Sequence, residues 1–281
     1  MIREPAVAGT WYPADPRRLA ADLDRLLSSI PPLASRTVDA VLVPHAGLMY
    51  SGPVAAHAFR AVQRQTYDVV ILLGPSHYVD FPGVALWPGG AFRTPLGDLA
   101  LDRDVCESLL RASPIVAERI DAHEQEHALE LQLPFLAHLF PHVPIVPLVM
   151  GRQTRATVTA TAEAIGSAVT GRRALLIGST DLSHFFDAAT ADSLDRTTAG
   201  FVANNDPHGL LGHLERYSVA ERGRYVMCGG GPAVAIMLAA RHRGASWATI
   251  LERTHSGVVS GDMHRVVGYL AAAMGRENDT A

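Results

Sequence analysis

Four unbroken apolar runs constrain this chain more than any other feature: Ala40-Val-Leu-Val43, Val69-Val-Ile-Leu-Leu73, Pro144-Ile-Val-Pro-Leu-Val149 and Ala174-Leu-Leu-Ile177. Runs of Val, Ile and Leu without polar alternation suit strands buried on both faces. Between them lie amphipathic stretches, Pro16 to Ser29, Pro53 to Arg64, Arg103 to Ala112, Glu126 to Phe140 and Thr154 to Val169. Strands that alternate with helices predict an α/β fold with a largely parallel sheet covered on both sides. Pro134 falls inside one helical pattern, so that helix is kinked or starts late. A helix is expected after Gly231, followed by strands at Ala248 to Arg253 and Val266 to Leu270 that pair antiparallel and make the sheet mixed.

Three of the predicted strands run into turns that carry histidine: Pro44-His45-Ala46-Gly47, Gly74-Pro75-Ser76-His77 and Gly178-Ser-Thr-Asp181-Leu-Ser-His184. Ligands of open α/β sheets sit outside the carboxyl ends of the strands, where residues far apart in sequence converge. One such histidine would be an ordinary turn residue. Three in the same placement suit a transition metal or a general base. Asp181, three residues before His184, could orient that imidazole or cap the segment after it.

Composition narrows the chemistry. All 24 basic residues are arginine, which excludes Schiff-base, P-loop and Ser-Lys chemistry and leaves 13 histidines, 28 carboxylates and 2 cysteines. A formal charge of −4 without a basic stripe argues against nucleic acid. No apolar run reaches the roughly 20 residues of a bilayer span, no leader is evident, and two cysteines make no disulfide framework. A cytoplasmic bacterial protein is expected. Cys106, inside an amphipathic helix, reads as a small buried hydrophobe. Cys228 precedes Gly229-Gly230-Gly231-Pro232 and an apolar helix, and a helix N-terminus favours a thiolate.

His123-Glu-Gln-Glu-His127 matches the H-E-x-x-H spacing, with both histidines on one face if the segment is helical. The segment opens a helical pattern whose apolar face begins only at Leu129, which argues against a metalloprotease.

Taken in order, Ala8-Gly-Thr-Trp-Tyr-Pro13, Pro44-His45-Ala46-Gly47, Gly74-Pro75-Ser76-His77, Glu126-His127-Ala-Leu-Glu130 with Leu133-Pro134-Phe135, Asp181-Leu-Ser-His184, Cys228-Gly229, Ser256-Gly257 and Ser260-Gly261-Asp262 resemble the Memo family. Its prokaryotic members are called AmmeMemoRadiSam system protein B. The resemblance spans about residues 2–272 and implies one domain, with 273–281 a solvated tail. It also implies a three-layer αβα fold related to the class III extradiol dioxygenases. His45, His77 and Cys228 match the family's metal ligands, with iron the first choice and copper or zinc the others. His184, with Asp181, matches the base of the dioxygenase pocket, and Glu126 and His127 match a motif expected behind the ligands or on the pocket wall.

Three functions follow as expectations: a non-haem redox-metal enzyme or metal-handling protein acting on a small molecule, a metal-free thiol enzyme using Cys228 and His184, or a scaffold with a vestigial pocket. The family name also implies a radical-SAM pathway partner. Gly230 and Gly231 stand where the animal members carry arginine and histidine, so binding of phosphorylated peptides is not carried over.

Overall fold

A computed structural model of the chain describes residues 1–33 and 36–277. Its strands are β1 (Ile2–Arg3), β2 (Thr37–Val43), β3 (Val69–Pro75), β4 (Val84–Leu86), β5 (Ala91–Thr94), β6 (Gly97–Ala100), β7 (Val116–Glu118), β8 (Ile145–Met150), β9 (Ala174–Ser179), β10 (His184–Phe186), β11 (Trp247–His255) and β12 (Val266–Arg276). The helices are α1 (Pro16–Ser28), α2 (Leu48–Val62), α3 (Arg103–Ala112), α4 (Asp121–Glu124), α5 (Leu133–Leu139), α6 (Arg155–Ala168), α7 (Ala188–Ala203), α8 (Pro207–Leu214), α9 (Val219–Tyr225), α10 (Gly230–His242) and α11 (Gly257–Ser260).

The four apolar runs are the centre of a nine-stranded sheet ordered β10-β12-β2-β9-β3-β8-β4-β7, with β11 also paired to β12. Strands β2, β9, β3 and β8 are mutually parallel. Strands β12 and β4 flank them antiparallel, and β11 runs antiparallel to β12. Every residue of β3, β8 and β9 is buried, which is why their sequences do not alternate. Helices flank the sheet: α2 packs on β2, β11 and β12 and carries α1, while α10 packs on β9, β3 and β2 and carries α6 and α8. A small sheet, β1-β5-β6, lies apart from the main one.

Three local expectations change. Residues 273–276 are not tail. They complete β12, where Ala273 and Met274 are buried and pair with Val41 and Ala40. Alanine disfavours strands in isolation, so this stretch carries no strand signal, and pairing with β2 on one side and β11 on the other settles it. Residues 278–281 lie outside those described. Helix α2 begins at Leu48, with Pro53 inside it, rather than at Pro53.

The segment from His123 to His127 is not one helix. Helix α4 stops at Glu124, a single 3-10 turn forms at Glu130–Gln132, and α5 starts at Leu133 with Pro134 in its first turn. The Glu126 carboxylate bonds the N–H of Ala128 at 2.9 Å, giving the backbone an alternative to the helical ladder.

The N-terminal segment is tied to this irregular stretch through charge. Glu130 is fully buried, pairs with Arg3 and accepts from Tyr12 Oη at 2.7 Å, Ala6 N at 2.8 Å and Val7 N at 3.0 Å. Arg3 in turn donates to the carbonyls of His123 at 3.0 Å and Glu126 at 2.7 Å. Removing one member of a buried pair strands the other charge. Glu130→Ala should therefore lower unfolding stability by about 3–5 kcal/mol in urea titrations, and Glu130→Gln by less; a loss below about 1 kcal/mol would exclude this role.

Candidate metal centre

The central register brings the site together. Val43 lies level with Ser179, and Leu73 level with Gly178, so β2, β9 and β3 deliver their following turns to one place. Those turns carry His45, Asp181 and His77. The fourth contributor is the loop before α10. Cys228 N–H donates to Asp181 O at 3.3 Å, Asp181 N–H points at Cys228 Sγ at 3.3 Å, and Gly229 N–H donates to Thr180 Oγ1 at 3.0 Å. Glycine is required at 229, because a Cβ there would lie 2.4 Å from the Ser179 carbonyl oxygen.

His45, His77 and Cys228 each offer one donor atom within 4.8 Å of the others, and His45 Nε2 is 3.2 Å from Cys228 Sγ. The tautomer of His45 follows from its neighbours. The Ser179 hydroxyl gives its one proton to Ala128 O at 2.7 Å and so accepts from Gln132 Nε2 at 3.0 Å and His45 Nδ1 at 2.9 Å. With Nδ1 protonated, Nε2 faces the sulfur with a lone pair. Burial, aided by His77, His127 and His184, holds His45 well below the ordinary histidine range, so it is neutral.

Glu126 does for His77 what Ser179 does for His45. Its carboxylate accepts from His77 Nδ1 at 2.8 Å and from His77 N at 2.6 Å, which leaves Nε2 for the Cys228 sulfur. Burial would push His77 down, but its bonds to the Cys228 sulfur and Glu126 outweigh burial and raise it to about 10. A second cluster, His77, Glu126 and His127, is equally compact. Its carboxylate, however, already receives two N–H groups of His77 and that of Ala128. Glu126 thus positions His77. His127 stacks on His77 with ring centres 4.4 Å apart, meets Trp11 at 4.5 Å, and is lowered to about 4 by burial and then by His77.

The structure brings all seven candidate residues to this end of the sheet but divides their tasks differently. Asp181 does not hold His184: its Oδ1 accepts the backbone N–H of His45 at 2.8 Å, and burial raises it to about 7. His184 begins β10, its Nδ1 is buried without a partner among the described residues, and burial followed by His77 lowers it. His123 is separate from the cluster. Its Nε2 bonds Ala85 O at 3.1 Å, so the H-E-x-x-H match has no shared helical face behind it. Cys106 is buried, and burial raises its thiol to about 12, as suits an inert core residue.

A cavity of about 340 Å³ opens beside Cys228 and His77. A larger one of about 480 Å³, beside Trp11 and α1, holds no histidine or cysteine and no part of the cluster. Ser179, Gln132, Gln153 and Arg222 were not legible as site residues. Ser179 ends β9, and nothing in a sequence tells which hydroxyl of Gly178-Ser-Thr will meet an imidazole.

The chain is an αβα protein with a histidine–cysteine pocket at the carboxyl ends of its central strands. The model of the family described as Memo-like protein matches residues 3–273. A MEMO1 family protein of Methanothermobacter thermautotrophicus is 35% identical over 279 residues, covering 96% of this chain and 99% of that one. Another from Methanopyrus kandleri is 35% identical over 288 residues, covering 98% and 100%. The chain belongs to the Memo-like family. The crystal structure of an uncharacterized protein from Escherichia coli K12 covers 85% of this chain and 100% of its own with a TM-score of 0.55 at 12% identity, a likeness of fold.

In protein stripped of metal, His77 should remain protonated at pH 8 and titrate near pH 10 by NMR, with Glu126→Gln lowering its midpoint. Because the folded value exceeds the unfolded 6.5, this stabilisation is complete below about pH 6.5 and is lost as pH rises through about 10. A wild-type midpoint below 7 would overturn the assignment.

Proposed function

We propose that this chain holds a redox-active divalent metal through His45, His77 and Cys228, iron first, and works as a non-haem metal enzyme or a metal-handling protein. The observation that carries the reading is the pair of spent Nδ1 protons: His45 gives its proton to Ser179 and His77 to Glu126. Histidines that ligate metals are typically oriented in this way by an acceptor on the other ring nitrogen. Two imidazoles and one anionic ligand form a set that suits iron, and thiolate in place of carboxylate also suits copper(I) or zinc.

When bound, the metal would supply Lewis-acid or redox chemistry to a small molecule in the adjoining cavity. The chain's own groups have separable tasks. Ser179 and Glu126 aim the imidazoles, and Asp181 N–H supports negative charge on the sulfur. His184, kept below the ordinary range by burial, is a neutral acceptor for a substrate proton. Asp181 fixes the backbone of His45 instead.

A specific contact also favours a second reading. With His45 Nε2 at 3.2 Å from Cys228 Sγ, the pair could activate a nucleophilic thiol without metal. The base would then be His45 or His77 rather than His184.

Reconstitution with Fe(II) under anaerobic conditions separates the two. Wild-type protein should retain the metal through gel filtration, His45→Ala/His77→Ala should lose at least about 90% of it, consistent with loss of two of three ligands, and iodoacetamide should alkylate Cys228 slowly until a chelator is added. Equal metal binding by the double variant, or alkylation indifferent to chelator, would exclude the metal reading.

A further inference from the structure

Arg222 carries an assignment of its own. It lies on α9, which folds directly against the cysteine loop: Met227 N–H donates to Arg222 O at 3.1 Å, and a Cβ on Gly223 would sit 3.5 Å from Cys228 Cα. Arg222 lines the same 340 Å³ cavity as His77 and Cys228. Its Nε donates to Tyr217 O at 3.3 Å and one Nη1 hydrogen goes to Gln153 O at 3.2 Å. A guanidinium has five N–H donors, so these two bonds fix its plane while leaving other donors unspent.

The charge balance of the cavity is equally specific. Arg152 also lines it but is engaged by Asp80 through contacts of 2.6 to 3.1 Å. Arg222 forms no ion pair among the described residues. His77 on the same wall is paired with Glu126, so among the described lining residues Arg222 is the positive charge left uncompensated, held by neutral carbonyls beside the thiol. Gln153 braces the arrangement from behind, giving Nε2–H to Cys228 O at 2.8 Å and accepting Gly231 N–H at 2.6 Å. A side chain at 231 would meet Gln153 Cβ at 2.8 Å, so the glycine at that position preserves the brace.

We infer that Arg222 binds the carboxylate of a small substrate whose other end reaches the His45–His77–Cys228 centre. One planar guanidinium matches one carboxylate in geometry and charge. A cavity of this size takes a small molecule. The inference rests on the proposed metal site only for the position of the substrate's far end; the anion subsite stands on Arg222 alone.

The test uses a matched pair of probes, 3,4-dihydroxybenzoate and the neutral 3,4-dihydroxybenzamide, titrated calorimetrically into the full chain. Each is measured with Zn(II), which avoids turnover, and again with chelator. Wild-type protein should bind the carboxylate about tenfold or more tightly than the amide, the scale of a charge-assisted bond. Arg222→Gln should abolish that preference with amide binding unchanged, Arg222→Lys should restore part of it, and Arg224→Gln on the same helix should leave it intact. Thermal melts establish that each variant is folded. Equal binding of both probes by wild-type protein, or a preference that survives Arg222→Gln, would overturn the inference. A carboxylate preference in protein that binds no Zn(II) would uphold Arg222 while removing the metal reading; Zn(II) binding with no preference would do the reverse.

Discussion

The candidate metal centre depends on the parallel hydrogen-bond register of β2, β9 and β3. Because Val43 is level with Ser179 and Leu73 with Gly178, three turns leave the sheet side by side. A slip of one residue in any of these strands would turn its side chains to the other face and move its turn by about 3.3 Å. That is more than the 2.9 Å bond between His45 and Ser179 could absorb. Complete burial of β3 and β9 makes such a slip costly, so the core that stabilises the fold also aims the histidines.

Around that register the protein spends its buried polar groups on orientation. Ser179, Glu126 and the Asp181 carboxylate each bond a backbone or ring N–H of a proposed ligand. The Arg3–Glu130 pair reaches the same end, since Arg3 holds the Glu126 carbonyl and Glu130 holds the N-terminal segment that brings Trp11 against His127. Charges buried this deeply are retained only where partners surround them. Here those partners are the backbone of the segments that make the pocket wall.

Electrostatics then separates the histidines by environment. His45 and His127 are lowered chiefly by burial, whereas His77 is raised because its bonds to the Cys228 sulfur and the Glu126 carboxylate outweigh burial. Four imidazoles in one neighbourhood cannot all be cations, and their surroundings place the proton on His77. A bound divalent ion would supply positive charge in place of that proton.

The sequence alone determined the architecture and which strand-end turns carry histidine. Unbroken apolar runs required doubly buried strands, and the turns after them already held His45, His77, Asp181 and His184. Glycine and proline ahead of an apolar helix marked Cys228 off from Cys106. Pairing decided the rest. The alanine-rich end of β12 became strand because it lies between β2 and β11. The His123–His127 segment lost its helix because Glu126 found His77 and Ala128 instead. Asp181 found His45 rather than His184, and Arg222 met the cavity beside Cys228. Local propensity and periodicity reach only a few residues along the chain, whereas each of these outcomes is a hydrogen bond, a ladder or an unpaired charge created when distant segments meet.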